Sequence, residues 1–197
     1  MKKMFDETRP GSVISGCVDI IWAGILWLVC SIPIVTAGPA SSALYYTMVK
    51  SVRHERGNVT KSFFAAFASD FRISFVIWIV YLAVIVPLIF APGLIVFYIL
   101  PLAVTLPWMF AWISRFDTGL KKTALSVLSL CVKNIPRSVL LGLLLLGTAA
   151  VCWLLPVISP LLPGFSCLLM SYVMEPVFRS ISEKIENDEN TDRWYNE

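Results

Sequence analysis

The sequence predicts an all-α polytopic membrane protein: six transmembrane helices arranged as three hairpins, with cytosolic amphipathic elbows. Three observations predict it: an apolar composition, three long uncharged runs, and a one-sided distribution of Lys and Arg. Of 197 residues, 57% are apolar and 15% charged, and the mean hydropathy is +0.77. A soluble domain carries about 25% charged residues. This chain has too few charges to cover its surface against water, and lipid is the alternative solvent.

Gly11–Val49 spans 39 residues with one charge, Asp19; Ile73–Ser114 spans 42 with none, and Ser138–Met174 spans 37 with none. One crossing of a hydrocarbon layer of roughly 30 Å takes about 20 helical residues, so each run fits two crossings. Each is interrupted near its middle by Pro and Gly, in "SIPIVTAGPA", "VPLIFAPG" and "LPVISPLLPG". These breaks predict hairpin tips. Lys and Arg number three in residues 1–10, five in 50–72, five in 115–137 and three in 175–197, which accounts for all 16. With six crossings and both termini in the cytosol, every one lies inside, as the positive-inside rule requires.

Taken in order, residues 1–10 mix Lys2, Lys3 and Arg9 with Asp6 and Glu7. The apolar run that follows is longer than the core of a cleaved signal, which predicts a cytosolic lead-in. In the first hairpin, Thr36 or Gly38 caps the returning helix and Pro39 enters its first turn. That helix, Pro39 to about Glu55, is short and polar at its end, so Lys50 and Arg53 must snorkel to the interface. Five crossings, with residues 39–55 on the surface, is the alternative; it places a terminus or "VKSVRHER" outside. The elbows are "TKSFFAAFASDFRIS" (60–74) and "KKTALSVLSLCVKNIPRS" (121–138), a loose repeat. One face of the first carries Phe63, Phe64, Phe67 and Phe71, and one face of the second carries Leu125, Leu128 and Val132. Between them, the helix from about Leu94 to Ser114 contains Pro101 and Pro107 and is expected to kink. Residues 1–178 form a single transmembrane domain, and 179–197 form an acidic cytosolic tail expected to fray.

Catalytic chemistry finds little footing. His54 is the single histidine, in the basic "VRHERG". The five cysteines, 17, 30, 131, 152 and 167, lack metal-ligand spacing. Cys152 and Cys167 flank the third tip and could approach across it, though membrane cysteines more often simply pack. No phosphate-binding loop or nucleophile elbow is present, and "NVT" at 58–60 falls on the cytosolic side. No enzyme, metal, cofactor or nucleic-acid partner is expected.

Asp19 is the exception within the runs. Ser12, Gly16, Asp19 and Ala23 share a small-residue face suited to close helix packing. Asp19 is either an internal polar contact or an interfacial carboxylate paired with a loop Arg, since it lies about two turns into its helix. Glu175, near the cytosolic end of the last helix, could pair with Arg179 or Arg115. Asp19, Arg115, Asp117 and Glu175 together could form a polar vestibule.

Residues 15–75 carry "LWLVCSIPIVTAGPA", "ALYY", Lys50, "RHERG" and "SFFAAFASDFR", and this stretch resembles the YesL-like bacterial membrane proteins, a family of unknown molecular function. The resemblance transfers no active site. Members are commonly encoded beside carbohydrate importers and their sensors, which implies a bacterial cytoplasmic membrane location and a role near sugar uptake.

Two functions follow as expectations. The first is a non-enzymatic partner of a carbohydrate importer or sensor, or a self-associating protein. It would dock through Phe63, Phe64 and Phe67 and the basic residues Lys50, Arg53 and Arg56. The second is a small channel or transporter with its own solute path, for which the kinked helix and Asp19 speak.

Overall fold

The computed structural model describes residues 10–53, 58–90, 92–116, 119–155 and 161–185. These are all-helical: α1 (Pro10–Cys30), α2 (Ala37–Thr47), α3 (Val59–Phe90), α4 (Pro92–Arg115), α5 (Leu120–Lys133), α6 (Ile135–Leu154) and α7 (Leu162–Ile185). A 3-10 turn, Ile34–Thr36, precedes α2, and a π-helical turn, Met48–Arg53, extends it. Six of these helices correspond to the halves of the three uncharged runs, and α5 is the second elbow. Among the described residues, two segments are long and apolar enough to cross a membrane: Val59–Val86 in α3 and Ile135–Leu154 in α6.

The expected pairs are in place: α1 packs on α2, α3 on α4, and α6 on α7. At the first tip the Thr36 hydroxyl donates to the carbonyls of Cys30 (2.6 Å) and Pro33 (2.8 Å). Thr36 thus satisfies a carbonyl at the end of α1, which has no intrahelical partner, and makes no side-chain cap to α2. Pro39 lies in the first turn of α2, where its missing N–H costs nothing.

The helix after this tip is the centre of the molecule. Gly38–Val49 is buried at every position but Ser41, with α1, α3, α4 and α7 around it. Its contact with α3 depends on Gly38, because a methyl group there would collide with the Trp78 side chain. Similarly, a Cβ at Gly142 would lie 2.9 Å from Val104 Cγ2, so α4 and α6 cross closely there.

Hydroxyl and indole groups tie these helices in register. Ser74 donates to Ser42 (3.0 Å), Ser51 to Ser62 (3.0 Å), Trp27 Nε1 to Ser41 (3.1 Å) and Trp108 Nε1 to Ser138 (3.0 Å). Such bonds contribute only about 0.6 kcal/mol each in a membrane setting. Truncating a buried aromatic costs about 3–5 kcal/mol, so Phe63, Trp108 and Phe178 dominate stability while the hydroxyls fix alignment. On α3 and α6 large apolar side chains face outward, among them Val76, Val80, Val84, Leu140, Leu143 and Trp153.

The two elbows differ. Residues 121–133 form the separate helix α5, ending at Asn134. Residues 60–74 are instead continuous with the 32-residue α3. No Pro or Gly interrupts residues 59–86, so nothing in the chain stops that helix. α4 likewise runs through Pro101 and Pro107, and the Thr105 hydroxyl donates to the Pro101 carbonyl at 2.9 Å.

Candidate functional site

Arg115 closes α4, and Glu175 lies within α7 just before Pro176. The Arg115 Nη1 donates to Glu175 Oε1 at 2.7 Å, with the two side chains 2% and 10% exposed. A cation in the last turn of a helix also meets the negative end of its dipole. The guanidinium stands 5.6 Å from the Phe178 ring centroid, within cation–π range. Phe178 in turn packs on Trp108, Trp112 and Phe116 at 5.7, 6.2 and 6.1 Å. The pair is thus seated in an aromatic collar.

The second carboxylate oxygen, Glu175 Oε2, is buried and accepts no hydrogen bond among the described residues. Beside Arg115 is a cavity of about 10 Å³ lined by Tyr45, Tyr46, Val49, Lys50 and Ser114, room for about one water. Lys50 donates to the Tyr46 hydroxyl at 2.9 Å and sits 5.2 Å from that ring's centroid. The π-helical turn therefore brings Lys50 to the cavity that Arg115 borders.

The predicted vestibule separates under this geometry. Arg115 and Glu175 meet. Asp19 is partly exposed on α1, and no contact joins it to the pair. Its neighbour Ile20 packs where a Cβ on Gly164 would lie 2.6 Å from the Ile20 carbonyl oxygen, so α1 and α7 cross beside it. Of the face shared with Asp19, Ala23 is buried and Gly16 has open space around it. Asp117 lies outside the described residues.

The predicted docking residues also divide. Phe63 is fully buried, stacked on Phe67 at 6.3 Å and edge-on to Phe64 at 5.8 Å, and belongs to the core. Phe67 is partly buried, whereas Phe64 is 49% exposed. Lys50 is the partly buried residue described above. Arg56 and the side chain of Arg53 lie outside what is described.

Sequence reasoning missed the half-open cavity of about 320 Å³ between α1, α2, α3, α4, α6 and α7. Trp27, Tyr45, Trp78, Pro107 and Phe110 line it, with Ser41, Thr148 and Ser166 as its polar spots. Pro107, which the sequence marks only as a kink, is among its lining residues. Cys152 and Cys167 both border the cavity, and all five cysteines are free thiols. Cys131 on α5 is buried; desolvation pushes its thiol pKa upward, with the Ser138 hydroxyl opposing. Among the described residues no three metal-ligating side chains gather.

Comparison with known proteins gives one match. Residues 20–91 fit the family model described as "Protein of unknown function, DUF624". That span takes in most of α1, the first tip, α2 and α3, and stops short of the Arg115–Glu175 pair. No curated protein and no solved structure matches the chain.

Proposed function

We propose that this chain is a multi-pass protein of the bacterial cytoplasmic membrane, with six crossings and both termini in the cytosol. In this reading it acts without enzymatic chemistry, as a partner subunit of a carbohydrate importer or sensor. The three uncharged runs and the one-sided Lys and Arg support the location, as do the apolar outward faces of α3 and α6. Carbohydrate uptake as the setting rests on the resemblance of residues 15–75 to the YesL-like proteins.

The observation that carries the partner reading is the closed Arg115–Glu175 pair. Two charges bound to each other through Glu175 Oε1 and packed against Phe178 hold α4 to α7 as a fixed scaffold. The exposed Phe64, at the start of α3, offers an apolar anchor on such a scaffold. One observation favours a second reading, a small channel or transporter. The cavity of about 320 Å³ beside Pro107 has the size of a small-molecule site.

A photoreactive side chain at position 64, in native membranes, tests the partner reading. Crosslinking to one defined membrane protein is the expected result. Capture of lipid alone, together with solute flux through liposomes containing the purified chain, would replace it with the transporter reading.

A further inference from the structure

A second, larger recess of about 550 Å³ lies between α5, the start of α6 and α7. Its composition differs from that of the cavity beside Pro107. Lys133 and Arg137 flank it, Ser129 adds a hydroxyl, and Trp112, Val177 and Ile181 form an apolar wall. Among the described residues no acidic side chain lines it. Lys133 and Arg137 are exposed and make no ion pair among the described residues. The first turn of α6, which borders the recess, carries no side-chain cap, so its amide end adds partial positive charge.

α5 explains what such a recess faces. At helical spacing its residues fall into three sectors. Thr123, Val127, Leu130 and Cys131 are buried against the bundle. Leu125, Leu128 and Val132, spaced i, i+3 and i+7, stand 69%, 58% and 65% exposed. Lys122, Ser129 and Lys133 lie between them on one side. An exposed apolar stripe next to a basic polar strip is the pattern of a helix lying in a membrane surface. Paired cations between membrane helices are suited to a phosphate headgroup.

We infer that this recess binds an anionic phospholipid, its phosphate between Lys133 and Arg137 and its chains entering the bilayer along Trp112 and Val177. The site rests on the membrane reading above and extends it by naming a lipid class. Such a ligand would join the α5–α6 junction to α7.

The test uses the full-length chain purified in detergent, with native mass spectrometry of lipid binding. Phosphatidylglycerol should bind at least about tenfold more tightly than phosphatidylcholine of the same chains. The double variant Lys133→Gln/Arg137→Gln should weaken phosphatidylglycerol binding about twenty- to thirtyfold, as expected for two cations near an anionic surface. Lys61→Gln/Arg72→Gln, exposed on α3 and outside the recess, should change it less than about threefold. Lys133→Arg/Arg137→Lys should retain binding, which controls for misfolding. Equal affinity for the two lipids, or equal losses in both Gln pairs, overturns the site. Glycerol phosphate binding as tightly as the whole lipid also overturns it, by assigning a soluble anion instead. Alkaline washing separates this from the premise: release of the chain from washed membranes contradicts the membrane reading, whatever the lipid data show.

Discussion

Arg115 and Glu175, 60 positions apart in the chain, are joined side chain to side chain at 2.7 Å. Removing one partner of a buried pair leaves an uncompensated charge, at a cost of about 3–5 kcal/mol, while replacing both by apolar residues is often neutral. Arg115→Met should therefore strongly lower the unfolding midpoint in detergent, and Arg115→Met/Glu175→Met should recover most of the loss. An Arg115→Met protein as stable as the wild type would show that the pair does not hold α4 to α7.

Gly38→Ala should destabilise by about 1–3 kcal/mol, the usual cost of overpacking, because the new methyl meets Trp78. Gly147 has nothing within 4 Å of its Cβ position, so Gly147→Ala should stay within about 1 kcal/mol of wild type. Thermal unfolding of the two variants side by side checks the position of α2 in the bundle.

Asp19 stands apart from the ion pair and is partly exposed on α1. Asp19→Asn should leave folding and any associated uptake nearly unchanged. Loss of uptake with normal expression and normal complex formation would give Asp19 a functional role and favour the transporter reading.

Membrane topology has its own test. Reporters fused after Pro39, Pro92 and Pro160 should report outside, and those after Gly57, Gly119 and the C-terminus should report inside. An inside signal after Pro39 with an outside N-terminus would favour five crossings.

Much of the helical plan was legible because absence of charge is written directly into the chain. The uncharged runs located the pairs α1/α2, α3/α4 and α6/α7, and Pro and Gly located the first tip. Hydropathy does not say what a helix touches, so nothing marked Ala37–Thr47 as the enclosed centre rather than another outward-facing helix. Nor could it decide between Arg115 and Arg179 as the partner of Glu175; that choice required α4 beside α7, with Arg179 exposed. Phe63 and Phe64 both belonged to the expected docking face. They are adjacent, hence about 100° apart around the helix, and the bundle takes Phe63 while leaving Phe64 outside. The cavity beside Pro107 and the α5–α7 recess arise from side chains on several helices and have no contiguous sequence signature.

The proposed role of the chain is that of a membrane partner protein. The most direct measurement is extraction from native membranes in a mild detergent, followed by purification and identification of bound proteins at defined stoichiometry. A carbohydrate importer or sensor subunit co-purifying at a fixed ratio is the predicted result, and Phe64→Ala should reduce that ratio while the chain itself still inserts. A chain that purifies alone, and that by itself carries solute across a liposome membrane, would contradict the account.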